Sequence, residues 1–404
     1  MKISRRRLRC IYNALLIIMT VIVMISPEGA ANGSLALKGT LLLLWYADSF
    51  LYIHGKGRFK GLNFSVVLVF FFLFQLLYEF LGISSVAIGN YVGIWIFFDL
   101  IIKALYVKQY YDDGIKRALI RVFQIIISMN IIWNIYIGNV REDIHLDIIA
   151  NPQDYVGMNV ATTTFYNMLA FFIGFNVLLI LKEQKVKWRL LDLATIVLSY
   201  WFMFSFTPRL TAVFISIVLI LLILLFHVKK KVYRVLLGIG LVIVIVFMFT
   251  NMIEVIINLL PERIALRVQA LILVDNNMGS DYLSRFDLAF TSLKTFTSSI
   301  HNFMFGAGYH FGKEYTKMIG QHSLIPDYLA AYGCVGLIFV CYFFYKLKKL
   351  LLVNVTSDFN KNAIHVFLFG FLLISLMSRA FVPEIAFGTV MLLVLAVDYK
   401  EEMK

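Results

Sequence analysis

Charged residues are scarce in this sequence. Only 15% of its 404 residues are Asp, Glu, Lys or Arg, whereas 61% are hydrophobic, and the mean hydropathy is +0.83. A soluble protein of this length needs far more polar surface than that to face water. The composition therefore excludes a soluble globule and predicts an integral membrane protein. No polar segment is long enough to fold separately, so we predict one membrane domain over residues 1–404.

Sites that depend on cysteine pairs, metals or nucleotides are also missing. The three cysteines, Cys10, Cys334 and Cys341, form no Cys-x-x-Cys pair and no zinc-like spacing, which indicates structural thiols. No Walker A, Gly-x-Gly-x-x-Gly or Asp-x-Asp motif occurs, so ATP and nucleotide-sugar chemistry have no support. We expect no metal and no cofactor. One acidic loop lacks clear ligand spacing and is interpreted as solvated: Glu142, Asp143, His145 and Asp147.

The formal net charge of +13 does not indicate nucleic acid as a partner. Basic residues in a membrane protein follow its topology and the anionic lipid head groups. The amino terminus MKISRRRLRC is similar to the charged region of a signal peptide. No convincing cleavage site follows it, so we predict an uncleaved first span.

Apolar runs long enough to cross a bilayer recur along the whole chain. They predict an all-α polytopic membrane protein with about twelve transmembrane helices. Most of the 37 lysines and arginines lie at the two termini and in every second connection, which places both termini in the cytoplasm. The predicted spans are 11–26, 35–53, 63–80, 89–107, 118–137, 159–181, 191–206, 208–227, 232–253, 324–345, 363–381 and 384–398.

One long loop, residues 254–323, falls on the outer side and is the only outer segment large enough to shape a substrate site. Its segment 262–274 predicts an interfacial helix, because Arg263 and Arg267 share one face while leucine and isoleucine occupy the rest. Residues 281–296 predict a second helix. The glycines of FGAGYHFG, residues 305–312, predict a hinged loop.

A histidine and five arginines are the candidate functional residues of the outer side. His322 directly precedes span 324–345, where a neutral imidazole can accept a proton from a hydroxyl. It could instead cap the helix or lie at the head groups. Arginines keep their charge and offer a planar fork to phosphate oxygens, although each alone could be solvated or lipid-paired. The five are Arg209, Arg263, Arg267, Arg285 and Arg379.

Three motifs between Arg285 and Gly336, taken in their order along the chain, resemble the O-antigen ligase and Wzy-type polysaccharide polymerase superfamily. The likeness covers residues 209–336 with gaps. Ligases usually have hydroxyl residues after the last glycine, where this chain has Leu337 and Ile338, so the polymerases are the nearer match. The motifs are SRFDLA with Arg285, FGAGYHFG with Gly306 and Gly308, and a histidine-serine pair nine residues before GCVG, with His322, Ser323, Gly333 and Gly336.

The resemblance implies a GT-C-like, metal-independent glycosyltransferase of the bacterial cytoplasmic membrane. Such an enzyme polymerises undecaprenyl-pyrophosphate-linked repeat units on the outer face, for capsule, O-antigen or exopolysaccharide, and releases undecaprenyl pyrophosphate. His322 would then activate the acceptor hydroxyl, and the arginines would bind the donor pyrophosphate, Arg209 and Arg285 foremost. Further partners would be the bilayer, a flippase and a chain-length regulator.

Other functions stay open from the sequence, namely ligase-type glycan transfer, a lipid-linked oligosaccharide flippase and a structural scaffold. A transporter needs ionisable residues near the membrane midplane and broken helices in matching halves. Asp99 and Lys103 are the main candidates for such residues. The spacing of Gly333 and Gly336 predicts that a neighbouring helix approaches closely and holds His322 in place.

Overall fold

The described part of the chain is helical. The computed structural model describes residues 11–12, 14–15, 17–19, 40, 43–44, 62–84, 88–140, 163–182, 185–205, 210–249, 283–309, 319 and 323–397, and every regular element in these ranges is a helix. Most of the first two predicted spans and of the long loop lies outside the described residues. The all-α prediction is confirmed for the described part, whereas the number of spans stays a prediction.

The helix bounds follow the predicted spans closely. Before the long loop the helices are α1 (Leu62–Phe80), α2 (Ile88–Tyr110), α3 (Asp113–Val140), α4 (Thr163–Lys182), α5 (Val186–Ser205), α6 (Leu210–His227) and α7 (Lys231–Phe249). After it come α8 (Leu283–Thr297), α9 (Ile300–Phe305), α10 (Leu324–Leu352), α11 (Asp358–Met377), α12 (Pro383–Ala386), a π-helical turn (Phe387–Met391) and α13 (Leu392–Val397).

Several of these helices suit a membrane. Among the described residues, four are long and apolar enough to cross one: Asp113–Val140, Thr164–Lys182, Leu324–Leu352 and Asp358–Met377. Helix α7 also presents an apolar face to the outside of the bundle at helical spacing. A water-soluble protein rarely exposes so continuous a patch, so this face indicates contact with lipid. Its exposed residues include Val232, Val235, Leu236, Ile239, Val242 and Ile243.

The centre of the bundle is the segment from α12 to α13. Its residues 384–397 are all buried, and it packs against α2, α4 and α11. The sequence marks this stretch only as a short apolar run, because an apolar helix wrapped by others looks the same as one that faces lipid. Phe381, which precedes α12, inserts its ring between Phe97 of α2 and Phe343 of α10, at centroid distances of 4.9 and 5.4 Å.

Hydrogen bonds between distant segments define the two ends of the bundle. At the end rich in lysine, Lys182 Nζ donates to Ala396 O at 2.7 Å, and Asn360 Nδ2 donates to Val397 O at 2.9 Å. At the opposite end, Leu324 N donates to Ser378 O at 3.1 Å. The helix ends at the lysine-rich end are therefore those whose basic residues predict the cytoplasmic side. The candidate site lies at the opposite end of the bundle.

Candidate functional site

The two glycine motifs of the sequence contact each other directly. Helix α9 ends at Phe305, and the turn that follows, which begins at Gly306, docks on α10. Ala307 N donates to Ala330 O at 2.8 Å, and Gly308 N donates to Ala331 O at 3.0 Å. The turn of residues 306–309 is thereby held against the first part of α10 by its backbone.

Helix α10 accepts these bonds because it is broken at Gly333. This residue has φ 59° and ψ −148°, which no helix contains and which a side chain would strain. A break inside an apolar helix frees carbonyl groups that no water can satisfy within a membrane. The turn supplies the missing donors. Gly333 therefore interrupts the helix. The sequence predicts only that a neighbouring helix approaches closely at Gly333 and Gly336.

The glycines are needed because backbone meets backbone here. A Cβ atom on Gly306 would lie 2.2 Å from Ala331 O, and one on Gly333 would lie 2.6 Å from Met304 O. Gly336 serves the helix itself, since a Cβ there would lie 2.7 Å from Tyr328 O on the near side of the break. The predicted close approach to another element is thus found at Gly333 and not at Gly336.

Helix α1 and its following loop fix the other side of the turn. Tyr78 Oη donates to Phe305 O at 2.6 Å, and Ser84 Oγ donates to Tyr309 O at 2.6 Å. Tyr309 N lies 3.1 Å from Ser84 Oγ, to which it donates. A segment from the first half of the chain therefore completes the site, although the resemblance to known motifs begins only at Arg209.

Asp327 holds the start of α10. Its Oδ2 accepts from Ser323 N at 3.0 Å, and its Oδ1 accepts from Ser292 Oγ of α8 at 2.6 Å. Ser323 is the N-cap residue of this helix, whereas His322, which could also cap it, lies outside the described residues. Pro326 sits at the third helical position and has no N–H for a capping serine to bond. The carboxylate caps the helix in its place.

Replacing Asp327 with asparagine is expected to loosen this helix start. The amide can accept through only one atom, so a buried donor loses its acceptor, at a cost of about 1–3 kcal/mol. We expect a lower melting temperature. Asp358→Asn is the matched control, because Asp358 also lies in the first turn of a helix but its side chain is 91% exposed. Equal stability of the two variants would contradict the capping role.

A cavity opens beside the broken helix. Its volume is about 150 Å³, and its walls come from α1, α2, α10 and the linker between α11 and α12. Arg379 of this linker lies at the cavity and is solvent-exposed, while its neighbours Ala380 and Phe381 are buried. The aromatic packing of Phe381 therefore fixes a short linker that presents an arginine to the cavity.

Tyr309 joins the turn to the cavity. Burial raises the pKa of its phenol above the usual value, Asp327 adds to the rise, and Arg379 opposes it. The phenol therefore stays protonated at neutral pH and can donate a hydrogen bond into the cavity. Both Asp327 and Arg379 therefore lie close enough to Tyr309 to affect the pKa of its phenol.

The structure brings together the part of the predicted site that it describes. Ser323 and Arg379 line one cavity, and Gly306, Gly308 and Gly333 build the turn-and-break beside it. The backbone of Arg285 lies in α8, two helical turns before Ser292. His322, Arg209, Arg263 and Arg267 lie outside the described residues.

Three residues of the site are missing from the sequence-based set, namely Asp327, Tyr309 and Gln75. The sequence could have indicated Asp327, because an acidic residue in the first turn of an apolar helix costs free energy in a membrane and so points to a functional role. Gln75 and Tyr309 had none, since their neighbours come from more than 200 residues away in the sequence.

No three His, Cys, Asp or Glu side chains come together as metal ligands within the described ranges. The acidic loop with Glu142, Asp143, His145 and Asp147 lies outside those ranges. What the cavity offers is a permanent cation, a buried carboxylate and hydroxyl groups, which suits an anionic ligand with polar hydroxyls. No protein-family model matches the chain, and no curated protein is significantly similar to it.

Proposed function

We propose that this protein is a membrane glycosyltransferase that polymerises lipid-linked oligosaccharide repeat units. The observation that carries the proposal is the docking of the Gly-x-Gly turn on the broken helix after the histidine-serine pair, beside a cavity that Arg379 faces. Two motifs similar to those of the polymerases, about 25 residues apart in the sequence, thus contact each other. The proposed setting is the outer face of a bacterial cytoplasmic membrane, with both termini in the cytoplasm and a GT-C-like fold.

The proposed reaction joins two undecaprenyl-pyrophosphate-linked glycans. A hydroxyl oxygen of the acceptor repeat unit attacks the anomeric carbon of the growing chain, and the bond from that carbon to the pyrophosphate oxygen breaks. His322 takes the hydroxyl proton. The arginines stabilise the charge that develops on the leaving undecaprenyl pyrophosphate. No cofactor enters this scheme, and the flippase and chain-length regulator act before and beside it.

The alternatives receive less support from the described residues. Asp99 and Lys103, the candidates for a transport path, form an ion pair near the middle of α2, and neither side chain is exposed. A transport site needs ionisable groups that reach a water-filled path. Ligase-type transfer would favour hydroxyl side chains after Gly336. Leu337 and Ile338 stand there instead and are exposed on the outside of the helix, at 39% and 67%.

Arg379→Lys tests the proposal in cells. Lysine keeps the charge but loses the planar fork, so we expect polymer synthesis to fall roughly tenfold at equal expression. Unjoined single repeat units on the lipid carrier should then accumulate. Arg234→Lys is the matched control, because Arg234 lies at the opposite end of the bundle, where its Nε donates to Val228 O. Wild-type polymer from Arg379→Lys would argue against pyrophosphate binding in this cavity.

A further inference from the structure

The lining of the cavity follows α10 from one end at Ser323, beside the linker that carries Arg379, to a second end at Tyr332, nine residues further along the helix. Gln75 of α1 lies there with 3% of its surface exposed, and its Nε2 donates to Tyr332 Oη at 3.3 Å. Its Oε1 is buried and accepts no hydrogen bond from any described residue. A buried amide oxygen without a donor is unfavourable unless a ligand or water supplies one. This atom therefore marks a place where a hydrogen-bond donor is expected to bind.

Space for such a donor is present. Gly93 of α2 lines the same cavity, and a Cβ atom on it would meet no heavy atom within 4 Å. A cavity of about 150 Å³ is large enough for one six-membered ring, as an engineered cavity of that size in another protein binds benzene. Tyr328 and Tyr332 supply aromatic walls, which suit the apolar face of a ring.

We propose that Gln75, Tyr332 and Gly93 form the subsite for a sugar ring of the acceptor glycan, with one sugar hydroxyl donating to Gln75 Oε1. An amide oxygen only accepts, and so does an ionised phosphate, so Gln75 Oε1 does not bind phosphate. Arg379 only donates, so its end takes the anionic group. The sugar of the acceptor glycan and the pyrophosphate of the donor are therefore bound at different ends of the cavity. This subsite rests on the proposed polymerase function for its glycan, but its binding chemistry can be tested without polymerisation.

The test uses two kinds of probe with the same lipid tail. Full-length protein in nanodiscs is titrated with radiolabelled farnesyl pyrophosphate and with farnesyl glucoside, galactoside and N-acetylglucosaminide. Gln75→Leu should weaken binding of the preferred glycoside about fivefold to tenfold, from loss of one hydrogen bond, and leave farnesyl pyrophosphate within about twofold. Arg379→Gln should show the reverse pattern. Gln109→Leu, an exposed position at the far end of α2, is the matched control and should bind both probes normally.

A second variant keeps the test valid if Gln75→Leu unfolds. Gly93→Leu adds a side chain to the open space and should block glycoside binding, whereas Gly240→Leu on α7, with equally open surroundings, should not. Equal loss of both probes in Gln75→Leu and Gly93→Leu, no loss of either, or no glycoside binding by the wild type would each overturn the subsite. Selective loss of glycoside binding in the variants, together with a wild-type protein that makes no polymer, would keep the subsite and remove the polymerase function.

Discussion

Under the proposed polymerase function, Gly306→Ala is expected to abolish polymer synthesis, because the new methyl group prevents the turn from docking on α10. Gly306 has φ 82° and ψ 173°, a backbone conformation that essentially only glycine adopts and in which a side chain costs about 1–3 kcal/mol. The added Cβ would also lie 2.2 Å from Ala331 O and 2.4 Å from Tyr332 N. Both are backbone atoms next to the break at Gly333, so they cannot move aside without changing the break itself. The strain should exceed that of an ordinary surface substitution by several-fold.

The effect of Gly306→Ala is measured as the melting temperature of the purified protein and as polymer made per molecule in cells. Gly240→Ala is the control, since a Cβ there meets nothing within 4 Å and alanine favours the helix. We expect this control to match the wild type in both measurements. A Gly306→Ala protein that melts and polymerises like the wild type would show that the turn does not dock as described.

If His322 is the proposed general base, His322→Ala is expected to lower polymer synthesis by a factor of roughly 10² to 10⁴ with little change in stability. The residue that follows it is fixed from two sides. Ser323 N donates to Asp327 Oδ2, and the next amide, Leu324 N, donates to Ser378 O. Ser323, the residue after His322, therefore has a defined position in the wall of the cavity.

For His322→Ala the measurement is polymer length and amount at equal expression. His227→Ala is a suitable control, because His227 ends α6 at the opposite end of the bundle, where its ring lies 5.3 Å from that of Phe359. We expect this control to make normal polymer. If His322→Ala also made polymer of wild-type length and amount, the histidine would have no chemical role.

The sequence predicts the helices of this protein well because hydropathy and length decide them. The predicted span 89–107 corresponds to α2 (Ile88–Tyr110), and the predicted helix 281–296 corresponds to α8 (Leu283–Thr297). Both signals are local, since an apolar run and its polar ends lie in one stretch of chain. The break in α10 was not predicted. The only local indication of this break is a single glycine, and a continuous helix also tolerates a single glycine.

The sequence predicts those residues of the candidate site that belong to known motifs. It does not predict the residues that join the site through contacts between distant segments. The glycines and Ser323 belong to recognisable motifs, and the structure brings Gly306, Gly308 and Gly333 together. Gln75 enters only because α1 packs beside α10, and no spacing within α1 marks it. The packing of α1 beside α10 depends on the whole bundle, so local sequence patterns do not predict the contact between Gln75 and Tyr332.

The most direct test of the polymerase function is a reaction with purified components. The full-length protein in nanodiscs is incubated with a synthetic undecaprenyl-pyrophosphate-linked repeat unit, without nucleotide sugars or added metal. Polymerisation predicts a ladder of products that differ by one repeat unit, with one undecaprenyl pyrophosphate released for each new glycosidic bond. An unchanged repeat unit, with no ladder and no released carrier lipid, would contradict the proposed function.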